Sequence, residues 1–182
     1  MSDTRMRYVV VGTSGSGKST FARELSRLTQ SPYVELDTLY WAANWTPRPR
    51  SEFEADVRGV TDGERWVTDG NYSAVRPLLW SRATHIIWLN FSRSVVFSRI
   101  LWRTLRRALT HNELWHGNRE SFSKTFLSRE SILVWSFTTY SKNLQKYAAL
   151  RESGEYSHLK WSELQSPTEA KAFLCRYRRA DA

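Results

Sequence analysis

Near the start of the chain the spacing of apolar residues changes period once. Tyr8-Val9-Val10-Val11 is a continuous, β-branched apolar run, the pattern of a strand buried on both faces. From Phe21 to Thr29 the pattern becomes helical, with Phe21, Leu25 and Leu28 on one face. The alternation continues downstream. Tyr33-Val34-Glu35-Leu36 predicts a short strand, and Ser51-Glu52-Phe53-Glu54 has the form of a capping box opening a helix over 52–61. Arg65 to Thr68 and Thr84 to Leu89 predict a third and a fourth strand, the latter nearly all apolar. A helix is expected over 95–109, and a longer one over 130–150 from the spacing of Leu133, Phe137, Tyr140, Leu144 and Tyr147. His158 to Trp161 is a weak fifth strand, and Ser166-Pro167-Thr168-Glu169 opens a last helix with a capping box and proline in its first turn. Strands alternating with helices predict an α/β fold around a parallel sheet.

The residues between the first strand and the first helix carry the clearest chemistry. Gly12-Thr13-Ser14-Gly15-Ser16-Gly17-Lys18-Ser19-Thr20 contains Gly-x-x-x-x-Gly-Lys-Ser, the phosphate loop or Walker A motif, in the strand-loop-helix context that the motif requires. Glycines let successive backbone N-H groups approach phosphate oxygens, and the helix N-terminus adds its unpaired donors. Lys18 is placed to meet the β and γ phosphates, and the Ser19 hydroxyl to bind Mg²⁺. The dinucleotide fingerprint spaces its glycines differently and has no use for Lys18 followed by Ser19. The expected ligand is therefore a nucleoside triphosphate with Mg²⁺.

Other candidates sit at the predicted strand ends, the edge where parallel sheets bind ligands. Asp37 is read as a group that hydrogen-bonds an acceptor, or as a cap. Trp41 and Trp45 are read as a stacking wall or, preferably, as core. Asp69-Gly70-Asn71-Tyr72 follows the third strand, with Asp69 favoured as a holder of Mg²⁺ over a plain turn. Arg76 and Arg82, in a short segment before the fourth strand, are possible phosphate contacts. Arg99, Arg103 and Arg106 form a stripe on the helix over 95–109, and Ile100, Leu101, Trp102 and Leu105 on its other sides predict a helix buried on several faces. Its arginines then need a partner, and a transferring phosphoryl group is a good one. The polar stretch 111–119 has the composition of a cover, with Arg119 able to close on a phosphate or remain solvated and His111 and His116 at the surface. Lys142 and Lys146 lie four apart on one helix flank and are read as phosphate contacts or, preferably, as solvated side chains.

Composition sets the bounds. At 182 residues, 41% hydrophobic and 14% aromatic, the chain suits a single domain with a proper core. No apolar run approaches the ~20 residues needed to span a bilayer, so a soluble, cytoplasmic protein without a membrane partner is expected. The single cysteine, Cys175, excludes an intrachain disulfide and a Cys-rich zinc site. Lys plus Arg number 27 against 18 Asp plus Glu, a formal charge of +9 that suits nucleotides, nucleic acid or an acidic surface.

The phosphate loop, Leu36-Asp37, Trp66-Val67-Thr68-Asp69-Gly70-Asn71-Tyr72, Ile86-Ile87-Trp88-Leu89 followed by Arg93, and Arg99 with Arg103 together resemble the small P-loop kinases related to adenylate kinase. Among these the chain is most similar to a bacterial group often labelled DNA topology modulation proteins. The resemblance spans about residues 6–175. It implies a three-layer P-loop NTPase fold with a five-stranded parallel sheet in the order 2-3-1-4-5. It also implies an acceptor-binding region near 37–62 and a lid near 104–130. The chain departs from the group at Asn90-Phe91-Ser92-Arg93, where Asp-x-Pro-Arg is common, and at Lys142, where arginines are usual. The expected activity is transfer of the γ-phosphoryl of ATP to a small acceptor such as a nucleoside monophosphate. Lys18, Arg99, Arg103 and Arg119 are its catalytic candidates, Asp37, Trp41, Asn71 and Arg76 its acceptor contacts, and Ser19 and Asp69 its metal holders. The alternative is a nucleotide-regulated protein that binds nucleic acid through its basic face with little or no kinase activity.

Overall fold

The apolar run at Tyr8 to Val11 becomes the central strand of the sheet. The computed structural model describes residues 5–110 and 129–178, with side chains described outside 103–110 and 129–139. Strand β1 (Met6–Gly12) has parallel partners on both sides, β3 (Arg65–Asp69) and β4 (His85–Leu89), and its middle residues are shut off from water. Strands β2 (Tyr33–Glu35) and β5 (Lys160–Leu164) complete a five-stranded sheet in the order β2-β3-β1-β4-β5, all parallel, as expected.

Because successive strand residues face opposite ways, β1 serves two cores at once. Val9 and Val11 pack with Val34, Trp66, Ile86 and Trp88 against one helical layer. Tyr8 and Val10 pack with Val67, Ile87 and Leu89 against the other. The first layer holds α3 (Arg50–Val60) through Phe53 and Val57, α4 (Arg76–Arg82) through Leu79 and Trp80, and Tyr147 of α6 (Arg129–Glu152). The second holds α1 (Lys18–Thr29) through Phe21, Ala22 and Leu25, α5 (Arg93–Thr110) through Val96 and Ile100, and α7 (Pro167–Arg178) through Phe173. This is the three-layer P-loop NTPase fold.

Several elements differ from the sequence reading. Leu36 leaves the strand and starts a short helix, α2 (Leu36–Tyr40), so Asp37 sits in a first helical turn rather than at a strand end. The Ser51/Glu54 capping box does not form: α3 already starts at Arg50 behind Pro49, and Glu54 pairs with Arg50 at 2.7 Å. At Ser166 half of the box forms: the Glu169 N-H donates to Ser166 Oγ at 3.2 Å, while the Glu169 carboxylate accepts from the N-H of Gln165, one residue earlier than the box requires. The segment carrying Arg76 and Arg82 is helical, with Pro77 in its first turn. Strand β5 lies two residues later than expected at its start and three at its end. Of the residues expected to bury α5 on several sides, Leu101 is 50% and Trp102 72% exposed while Ile100 is buried, and Leu105 lies outside the described side chains; Val96 and Ile100 reach the core and Val95 packs against it. The predicted cover over 111–119 lies outside the described residues.

Candidate functional site

The register between β1 and β3 pairs Val10 with Asp69, so the third strand ends as the first runs into its glycine turn. Glycine is required there. A Cβ on Gly12 (φ +150) would lie 2.7 Å from the Leu89 carbonyl oxygen, and one on Gly15 (φ +84) 2.4 Å from Ile100 Cγ1. The Ser16 N-H closes the turn on the Thr13 carbonyl at 3.1 Å, and Phe21 N-H to Gly17 O begins the ladder of α1. Helix α1 ends at Gln30, which takes the left-handed conformation, and Pro32 follows.

The loop forms one wall of a cleft of about 1590 Å³. Asp37, Asp69, Gly70, Asn71, Tyr72 and Arg99 also line it. Ser19 Oγ donates to one oxygen of Asp69 at 2.7 Å, and the hydroxyl of Tyr33 donates to the other at 2.7 Å. Lys18 folds over the loop, its Nζ donating to the Thr13 carbonyl at 3.3 Å. Arg99 reaches from α5 to the Ser16 carbonyl at 2.6 Å, with its guanidinium carbon 5.0 Å from the centre of the Phe91 ring.

Burial pushes the Asp69 carboxyl above the usual carboxylate range. The donors Ser19 and Tyr33 and the charge of Lys18 oppose that shift, and Asp37 adds to it. A cation beside Asp69 would favour the ionised form. Among the described residues no three acidic, histidine or cysteine side chains cluster as a metal cage. Ser19 and Asp69 instead suit Mg²⁺, which keeps several waters and takes one or two protein oxygens together with phosphate. The buried Ser16 hydroxyl, which has no hydrogen-bond partner, lies in the same loop.

On the opposite wall Tyr72 donates its hydroxyl to Asp37. Tyr72 is itself wedged between Tyr40 and Phe53, with ring centres 4.6 and 5.2 Å away. Asn71 Nδ2 donates to the Gly12 carbonyl at 2.7 Å, while its Oδ1 accepts from the Gly12 N-H at 3.4 Å and from the Tyr147 hydroxyl at 2.8 Å. Asn71 thus ties the start of the loop to α6.

The structure gathers Ser14 to Thr20, Asp37, Asp69, Asn71 and Arg99 around one cleft; Gly12 and Thr13 precede these residues in the loop and do not line it, nor do Trp41 and Arg76. Trp41 is not core: half-exposed, it packs edge-on against Tyr40 and Trp45 in a turn closed by its pairing with Pro47. Arg76 rests on Trp80, and Arg82 pairs with Asp62. The side chain of Arg103, and Arg119 altogether, lie outside the described residues. Sequence reasoning gave no site role to Tyr33 or Tyr147, because a tyrosine in an apolar pattern reads as packing until its hydroxyl is seen to have a partner.

Neither a protein-family model nor a curated protein sequence matches the chain. Solved structures do. A shikimate kinase from Acinetobacter baumannii in complex with shikimate aligns over 98% of this chain and 93% of its own, with a TM-score of 0.55 and 15% identity. A gluconokinase from Sinorhizobium meliloti 1021 aligns over 97% and 95%, with a TM-score of 0.51 and 18% identity. The fold is that of the small P-loop kinases.

Proposed function

We propose that the cleft binds ATP with Mg²⁺ and that the protein transfers the γ-phosphoryl group to a small acceptor. The observation that carries this reading is the contact of Ser19 with Asp69 beside the folded phosphate loop, which prepares a metal position and a phosphate position together. Mg²⁺, when bound, neutralises charge on the phosphates. Lys18 places its ammonium on the β and γ phosphates, the loop N-H groups hold their oxygens, and Arg99 adds charge from α5. Arg103 and Arg119 are the further candidates for the phosphoryl clamp.

Asp37, held by Tyr72, suits an alcohol acceptor. The acceptor oxygen bonds to the γ phosphorus, the bond to the β-γ bridging oxygen breaks with its electron pair leaving on ADP, and the hydroxyl proton passes to Asp37. A phosphate acceptor such as a nucleoside monophosphate is already ionised and needs no base. The names of the two similar structures denote kinases of gluconate and shikimate, which supports a hydroxylated acid beside a nucleotide as the acceptor to test. Kinship with the adenylate-kinase-like bacterial group rests on Asp69-Gly70-Asn71-Tyr72 and the arginines of α5.

The basic composition motivated nucleic-acid binding. Eight arginines, Arg7, Arg23, Arg27, Arg48, Arg50, Arg82, Arg151 and Arg178, each pair with a carboxylate, but those carboxylates are already counted in the +9, so the excess of basic charge stays in place. The test is incubation with ATP and Mg²⁺ over a panel of nucleotides, nucleosides, sugars and hydroxy acids, read by phosphorus NMR. A phosphorylated acceptor supports the proposal. Its absence across the panel, with tight and steeply salt-dependent DNA or RNA binding instead, would favour the alternative.

A further inference from the structure

Among the described residues outside the phosphate loop, three half-buried arginines come with carboxylates. Arg7 bonds Glu64, Arg48 bonds Glu52 and Asp56, and Arg82 bonds Asp62. Outside the phosphate loop, and among the described residues, Arg76 and Lys146 are half-buried with no carboxylate paired to either. Each rests on an aromatic face. The guanidinium carbon of Arg76 lies 5.6 Å from the centre of the Trp80 ring, and Lys146 Nζ lies 5.3 Å from the centre of the Tyr147 ring. Trp80 and Tyr147 are stacked on one another, 26° from parallel with centres 6.5 Å apart. Two cations from two helices therefore bracket one aromatic pair.

Arg76, Lys146, Trp80 and Tyr147 do not line the cleft themselves, but Tyr147 is joined to a residue that does. The Tyr147 hydroxyl bonds Asn71, which lines the cleft, as does Asn143, one helical turn before Lys146. Burial lowers the Lys146 ammonium from its usual value, and the charge of Arg76 lowers it further. A bound anion would relieve both costs. Cation-π contact stabilises such a head only weakly compared with a charged partner, so the arrangement is incomplete without one.

Resting on the kinase reading above, we propose that Arg76 and Lys146 are the seat for an anionic group, a carboxylate or a phosphate, carried by the phosphoryl acceptor. The acceptor is then an acid rather than a neutral sugar or nucleoside. Arg76 supplies a planar fork of N-H donors and Lys146 a mobile point charge. Asp37 and Tyr72 line the cleft together with Asn71, so the acceptor's charged end and its reacting end are read by different residues.

The test is equilibrium binding, followed by calorimetry, with MgADP present to occupy the phosphate loop. AMP is compared with adenosine, and gluconate with glucose. The expected result is that one acid binds and its neutral counterpart binds about 10-fold or more weakly. Arg76→Gln and Lys146→Gln should each weaken the acid by a similar factor, while Lys142→Gln, an exposed lysine on the same helix, changes nothing. AMP or gluconate as the bound member tells phosphate from carboxylate. Unchanged thermal midpoints establish that the variants are folded, and Arg76→Lys should restore part of the affinity. Equal binding of acid and neutral partner, affinity indifferent to both substitutions, or no acid bound by the folded protein would overturn the proposal. Substitution-sensitive binding without transfer from ATP would instead remove the kinase reading, and transfer to a neutral acceptor would keep that reading and remove the seat.

Discussion

Ser19 and Asp69 lie fifty positions apart in the chain and meet at 2.7 Å. Two strands make this contact. The parallel register of β1 and β3 sets Asp69 beside Val10, and the loop after Gly12 swings Ser19, the second residue of α1, back over that strand end. Tyr33, the first residue of β2, takes the other carboxylate oxygen, so α1 and β2 both converge on the carboxylate that ends β3.

That charge has a stability consequence. A carboxyl whose folded pKa is raised, as burial raises Asp69 above 3.8, stabilises the fold while protonated and loses that contribution as pH rises through the folded value. The ionised form of Asp69 is thus a cost in the free protein. Asp69→Asn is therefore expected to leave the thermal midpoint of the free protein unchanged or higher and to abolish most turnover. Wild-type protein at 100-fold excess of MgATP over its dissociation constant gains about 2.7 kcal/mol, and the variant should gain far less. Thermal unfolding with and without MgATP checks both statements; a destabilised variant with a full nucleotide shift would contradict them.

Gly15 faces Ile100 of α5 across a gap that admits no side chain. Two effects act on Gly15→Ala: positive φ costs about 1–2 kcal/mol for a non-glycine residue, and overpacking adds about 1–3 kcal/mol. Shortening the neighbour with Ile100→Ala removes the second effect and leaves the first. The double variant should thus recover part of the nucleotide affinity lost by Gly15→Ala but not all of it. Full recovery would mean that backbone conformation at Gly15 is immaterial.

What the sequence made legible follows from what is local. The phosphate loop and the strands flanking it are read from a motif and from runs of apolar residues, and β1 to β4 appear within a residue or two of their expected ends. Local signals also misled. Ser51 and Glu54 have the spacing of a capping box, but Pro49 already sets the chain for a helix beginning at Arg50. Leu101 and Trp102 read as buried because apolar residues surround α5, whereas the sheet covers only the side holding Val96 and Ile100. Helix α4 is too short for periodicity to reveal. The ties from Asn71 to Gly12 and Tyr147, and from Tyr72 to Asp37, join residues brought together only by the sheet order.

His85 supplies a pH test independent of the cleft. Its ring lies between strands, with Nε2 2.9 Å from Ser162 Oγ, and burial, aided by the charge of Lys160, pushes its pKa down from 6.5 to about 4. For a depressed folded pKa the unfolded chain binds the proton first. Stability is thus retained above about pH 6.5 and lost progressively as pH falls from there to about 4. Denaturant unfolding at pH 7, 5.5 and 4 should show a steeper decline for the wild type than for His85→Gln, even though the variant starts lower at pH 7. Parallel declines would contradict the assignment.

The account stands on Lys18 and the loop N-H groups gripping a triphosphate. Its most direct test is calorimetric titration of the wild type and of Lys18→Ala with ATP and Mg²⁺. The wild type is expected to bind one ATP, and the variant to lose about 10-fold or more in affinity along with any turnover. Equal affinity and turnover in the two proteins would contradict it.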